Sequence, residues 1–175
     1  INIEGLSVTA DGQSLLIAFR NPRPQKKALI ITLKNPEAVI LHQTKPDFAV
    51  PILLDLEGLG IRSIEYVKQI SAYLIIAGSH DDKRIAVLYQ WKGGENDPAV
   101  RRKETLSFHD LVDFNPESLI IYPDRKKIQI LSDDGDIPIA NGEKKRKKSK
   151  KEGYRCKDLA DPGMKHFRSI WLDIN

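Results

Sequence analysis

A single cysteine, Cys156, stands among the 175 residues, so the chain can form neither an internal disulfide nor a multi-cysteine zinc site. Its neighbours Arg155 and Lys157 read as part of a solvated loop. Uninterrupted apolar runs such as Leu74-Ile75-Ile76-Ala77 last only a few residues. That is far short of the roughly 20 needed to cross a bilayer, and no membrane insertion is expected. Ile1 to Leu6 has neither the basic head nor the apolar stretch of a signal peptide. With no initiating Met either, the compartment stays open, cytoplasmic or exported after processing. No window of eleven residues keeps apolar residues at helical spacing. HExxH, Walker, G-x-S-x-G and cysteine-histidine zinc motifs are all missing, and Gly93-Gly94 is a turn signal.

Lysine and arginine number 28 against 24 acidic residues, a formal charge of +4. The excess is local. EKKRKKSKKE, residues 143–152, carries seven positive and two negative charges, which leaves the rest of the chain at −1. Proteins that grip nucleic acid spread such charge over a folded face. This run reads instead as a solvated basic insertion, and no specific nucleic-acid binding is expected. The 41% hydrophobic content is enough for a folded core.

Strand signals dominate: Leu15 to Phe19, Ala28 to Leu33, Ile52 to Leu54, Tyr73 to Ile76, Ile85 to Tyr89 and Ile128 to Leu131 are short, branched or aromatic, and bounded by turn residues. Three segments superimpose without gaps: IEGLSVTADGQSLLIAFR from Ile3, IRSIEYVKQISAYLIIAG from Ile61 and PESLIIYPDRKKIQILSD from Pro116. Each opens a strand on a charged residue, Glu4, Arg62 or Glu117, and starts a second strand eleven positions later, at Leu15, Tyr73 or Ile128. Asp11-Gly12 and Pro123-Asp124 suit the intervening hairpin turns. Third and fourth strands fit at Ala28 to Leu33 and Pro51 to Leu56 in the first copy. In the second they fit at Ile85 to Trp91 and Glu104 to Phe108.

The repeat length suits a propeller blade. The expected fold is all-β, a β-propeller forming a partial ring of about three four-stranded blades, at 1–58, 59–112 and 113–175, plus a closing or additional strand; a β-sandwich is the rival. Propellers close with at least about four blades. The chain is therefore expected to be part of a larger ring, completed by the remainder of the same source chain or by a second chain.

FRSIWL from Phe167 resembles IRSIEY from Ile61 and extends the opening residues to Glu4, Arg62, Glu117 and Arg168, with an outer strand closing the last blade as the alternative for this segment. On inner strands these would form a charged collar of Glu and Arg pairs around the channel, either holding blades in register or contacting a small anionic ligand. Loops after the second strands carry Arg20, then His80, Asp81 and Asp82, then Asp133, Asp134 and Asp136, and are expected on the same face. Asp133, Asp134 and Asp136 offer hard oxygen ligands for Ca2+ or Mg2+, although a water-exposed Asp-Gly turn explains them as well. His80, Asp81 and Asp133 are the candidate proton-transfer or water-activating groups, with Arg20 and Arg62 as anion holders. His42, His109 and His166 have no spacing partners.

The segments INIEGLSV, GLGIRSIEY, YLIIAG, NPESLIIYPD, ILSDDG and FRSIW resemble the C-terminal portion of a bacterial propeller-like family classed as a domain of unknown function. The resemblance places Glu4, Arg62-Ser63, Glu117, Asp133-Asp134 and Arg168 in that family's pattern and brings no reaction with it. A more distant similarity is to esterase-like phytase propellers. Three expectations follow: a binding propeller taking a small polar or anionic ligand or a protein partner at the channel mouth; a metal-dependent hydrolase of phosphate or other esters; or a structural fragment without its own activity.

Overall fold

A computed structural model describes residues 1–79, 85–105, 111–122, 124–139 and 154–174. The fold is all-β. The first sheet is an antiparallel meander of β1 (Asn2–Val8), β2 (Leu15–Asn21), β3 (Ala28–Leu33) and β4 (Ile52–Leu54), with a short helix α1 (Pro36–His42) between the last two. The β1–β2 turn is closed by Gly12 N–H on the Thr9 carbonyl, with Gly12 at φ 76°, a conformation glycine adopts without a Cβ penalty. The second sheet repeats the meander with β5 (Gly60–Val67), β6 (Ala72–Gly78), β7 (Ala86–Trp91) and β8 (Val100–Arg101). Its fourth strand thus lies a few residues before the expected Glu104 to Phe108. Lys103–Thr105 forms a 3-10 turn instead, and 106–110 lie outside the described residues.

The third sheet begins like the others, with β9 (Pro116–Ile121) and β10 (Lys127–Ser132). A two-stranded ribbon of β11 (Pro138–Ile139) and β12 (Tyr154–Arg155) follows, and the third sheet then gains β13 (Ser169–Asp173), antiparallel to β10. Of the two readings of FRSIWL, the structure agrees with the strand that closes the third sheet and not with a fourth inner strand. Ile130 pairs with Ile170 and Ile128 with Leu172, so alternate residues of β13 reach the third sheet's core, and that packing outweighs a three-residue likeness to Arg62-Ser63-Ile64. The basic run at 143–152 lies outside the described residues.

The sheets stack in series. Leu16, Ala18 and Ile30 of the first pack against Ile64, Ile75 and Tyr89 of the second. On the opposite face of the second sheet, Leu74, Ile76 and Leu88 pack against Leu119, Ile128 and Ile130 of the third. Every residue of β6 is buried, which accounts for its unbroken apolar sequence: a strand covered on both faces has no solvent side to make polar. The closest backbone approach between sheets runs along the first strands, β1 to β5 and β5 to β9. Gly5 permits it, because a Cβ there would come within 2.9 Å of both Ala18 Cβ and Ile64 Cγ2.

The stack has a direction. Each sheet presents its back to the front of the sheet before it, and the back of the first sheet is open in part: Leu15, Ile17 and Ile31 are half-buried there, while Phe19, Leu29 and Leu33 on the same face are buried. Ile3, Leu6 and Val8 are 54%, 59% and 49% exposed. Truncating Ile76 to Ala should therefore cost about 2–5 kcal/mol, the range for a buried aliphatic side chain. Leu6→Ala should cost less than about 1 kcal/mol. Urea unfolding of the two variants measures the difference; equal losses would mean that Leu6 is covered.

Candidate functional site: a charged collar on three bulges

Glu4, Arg62 and Glu117 occupy the same place in their sheets for a backbone reason. Pairing jumps from Ile3–Phe19 to Gly5–Ala18, from Ile61–Ala77 to Ser63–Ile76, and from Ser118–Leu131 to Pro116–Ser132. Each jump leaves one residue without a cross-strand partner, and those residues are Glu4, Arg62 and Glu117. A β-bulge of this kind re-aims the extra side chain and bends the strand. All three lie near the start of the first strand of their sheets, so the bulges collect the charges at one end of the stack. The ends of the second strands, carrying Arg20, Ser79 and Asp133, lie beside them.

Two arginines lace the sheets together there. Arg20 Nη1 donates to Glu4 Oε1 at 3.1 Å within the first sheet, and Nη2 donates to the Ser79 carbonyl of the second at 3.0 Å. Arg62, only 6% exposed, reaches from the second sheet to the third. Its Nη1 donates to Asn115 Oδ1 at 3.1 Å and to Glu117 Oε1, while Asn115 Nδ2 donates to the same carboxylate at 3.0 Å. Gly78 makes room for this, since a Cβ there would collide with Arg62 Nε. A Cβ on Gly60 would likewise collide with the Arg20 carbonyl. Below the collar, Ser63 Oγ accepts from Leu119 N–H at 3.2 Å, another tie between the second and third sheets.

Burial pushes the Arg62 pKa down, repulsion from Arg20 adds to this, and the charges of Glu4 and Asp133 act in the opposite direction. Glu4 Oε2, Arg20 Nε and Arg62 Nε are buried and make no hydrogen bond. Such atoms are uncommon in folded proteins and call for a physical cause.

The remaining candidates disperse. Asp133 is exposed. Its N–H donates to the Asn115 carbonyl at 2.9 Å and its Oδ1 accepts from Gly135 N–H at 2.9 Å, a turn at the edge of the collar. Asp134 is 3% exposed and surrounded by donors: Ser132 Oγ at 2.7 Å, and Arg168 N, Nε and Nη2 at 2.8, 2.8 and 2.9 Å. Arg168 also donates to the carbonyls of Val112 and Asp113 and lies over the Phe114 ring. It anchors β13 and does not continue the collar. Asp136 pairs with Arg155 and Lys157 at 3.3 and 2.6 Å. The three aspartates therefore serve three separate partners, and no group of three potential ligands is placed to hold a metal ion among the described residues. His80, Asp81, Asp82 and His109 lie outside the described residues. His42 and His166 are exposed, and Cys156 is buried with its Sγ 3.2 Å from the His166 carbonyl.

Sequence reasoning missed Asn115 and Asn2. The signal was an asparagine two residues before glutamate in both Asn2-Ile3-Glu4 and Asn115-Pro116-Glu117; Asn2 Nδ2 donates to Glu4 Oε1 at 2.8 Å, as Asn115 does to Glu117. A cleft of about 520 Å³ opens away from the collar, beside β4 and β8, where Asp55, Glu57, Glu95 and Asp97 face Lys27 and Arg101.

Comparison with family models, curated proteins and solved structures finds no match to this chain.

The Asp134 cluster makes a pH prediction. Burial alone would raise this carboxyl's pKa, but hydrogen bonds from Arg168 and Ser132 outweigh it and hold the value below the ordinary one. A depressed folded-state pKa contributes stability above the unfolded value, about 4, and loses it as pH falls through the folded value. Asp134→Asn should cost about 1–3 kcal/mol at pH 7. Chemical unfolding from pH 7 to pH 2.5 should show the gap between wild type and variant shrinking below about pH 4; a gap independent of pH would remove the charge from the account.

Proposed function

We propose that the chain is an arc of a β-propeller and works as an interaction module, docking further sheet structure on the open back of its first sheet. One observation carries the reading. The exposed residues Leu6 and Val8 occupy the positions that Ile64 and Tyr66 hold in the second sheet and Leu119 and Ile121 in the third. Those counterparts belong to or pack against the two inter-sheet cores. An apolar face at the end of a repeating stack is the same interface with one side missing. The closeness of the first strands, the repeated bulges and the resemblance to a propeller-like family support radial placement around a central axis. The ester-hydrolase alternative has less support, because the aspartates meant to hold its metal diverge.

Under native conditions the chain alone should bind 1-anilinonaphthalene-8-sulfonate with enhanced fluorescence. A Leu6→Asp, Val8→Asp double variant should lose most of that signal while its melting temperature changes little. Absence of dye binding by the wild type would count against an open apolar face.

The collar supports a second reading, a small anionic ligand held by Arg20 and Arg62. Their mutual repulsion and the partial exposure of Arg20, 20% of its side chain, favour an added negative charge. Titration calorimetry with inorganic phosphate and with citrate should show saturable binding that Arg20→Gln weakens about tenfold or more, equivalent to about 1.4 kcal/mol. Binding unaffected by the substitution would place the anion elsewhere.

A further inference from the structure

In the third sheet, Asn115 and Glu117 form an acceptor pair that receives Arg62 from the sheet behind. The first sheet carries the same pair at the same positions. Asn2 and Glu4 are joined by the same amide-to-carboxylate hydrogen bond, 2.8 Å against 3.0 Å, and Glu4, like Glu117, is the bulge residue of its strand. One partner is missing. Glu4 Oε1 takes Arg20 from its own sheet, whereas Glu117 Oε1 takes Arg62 from the neighbouring one. Among the described residues no guanidinium reaches this pair from behind, where Leu6 and Val8 are exposed.

A second copy of the chain does not fit this place. The face of a copy that would continue the stack there is the front of the third sheet, which carries Glu117 at the position of Arg62 and would set one carboxylate against another. It also presents Gln129, bonded to Tyr122 and Ser169, where the first two sheets use Leu16 and Leu74 to fill the inter-sheet cores. Charge and shape both ask for a different occupant.

We propose that the back of the first sheet seats a further antiparallel β-sheet, supplied by polypeptide outside these 175 residues and distinct from a copy of them, which inserts an arginine between Asn2 and Glu4. This rests on the interaction-module reading and names its partner by chemistry: aliphatic residues toward Leu6, Val8 and Ile17, and an arginine at the bulge of its own first strand. The arginine would repeat on Asn2 Oδ1 and Glu4 Oε1 the contacts that Arg62 makes to Asn115 Oδ1 and Glu117 Oε1, and the aliphatic face continues the burial repeated twice within the stack.

A photo-crosslinking residue, p-benzoylphenylalanine, placed at Leu6 in the source cells tests this, with the cross-linked peptide sequenced by mass spectrometry. The expected peptide opens an apolar strand on arginine and begins a second strand about eleven residues later, the spacing of the internal repeat. Glu4→Gln should lower its yield about tenfold or more. Because Glu4 also holds Arg20, the exposed Asn2→Ala serves as a second variant, and melting temperatures show that both remain folded. A cross-link to another copy of the chain, to lipid or to a helical segment, or no cross-link, would overturn the proposal. A β-sheet peptide without the arginine, or a yield indifferent to both substitutions, would overturn the socket and leave the interaction-module reading standing. Failure of the dye-binding test would remove that reading first.

Discussion

The strand Ala72–Gly78 lies out of water along its whole length, and covering both of its faces determines where everything else goes. Residues alternate across it, Tyr73, Ile75 and Ala77 toward the first sheet and Leu74 and Ile76 toward the third. Each aliphatic side chain so covered contributes roughly 1.5–3 kcal/mol relative to exposure, so sliding either neighbouring sheet by one residue would turn these groups to the wrong side. With the sheets locked face to face, their first strands meet at one edge. The charged bulge residues are then brought together as a consequence of apolar burial.

The collar itself is a set of hydrogen-bonded ties. Arg62 is nearly buried, a position tolerable only because Asn115 and Glu117 meet its guanidinium on arrival; removing one partner from such a pair is generally far costlier than never having built it. Arg20 makes a weaker version of the same link, its side chain 20% exposed and its second contact a backbone carbonyl. Successive sheets are thus joined twice over, by apolar faces along their lengths and by an arginine beside the bulges of their first strands. That redundancy suits a scaffold whose neighbours must be held in a fixed order.

Much of this was legible in the sequence. The eleven-residue offset located three hairpins, and the strands at Ala28–Leu33 and Ile52–Leu54 coincide with the observed ones. The gathering of Glu4, Arg62 and Glu117 followed from their common place in the repeat. The bulges were not legible, because pairing register depends on the partner strand and leaves no mark on a single residue's identity. Arg168 misled for a related reason: Arg-Ser-Ile is too short to outweigh the core contacts of Ile170 and Leu172, which decide where β13 pairs. The three aspartates near Gly135 looked alike as a composition, yet one closes a turn, one is buried among donors and one meets surface cations. Only the fold separates those environments.

The clamp between Asp134 and Arg168 also bears on evolutionary tolerance. It fastens the two ends of a long excursion, so β13 returns to the same register whatever path the chain takes between them. The entropy of closing a loop grows only logarithmically with its length, about 0.6 kcal/mol for each doubling. A change in the length of chain between the two clamped residues therefore costs little compared with the contacts that seat the strand completing the third sheet.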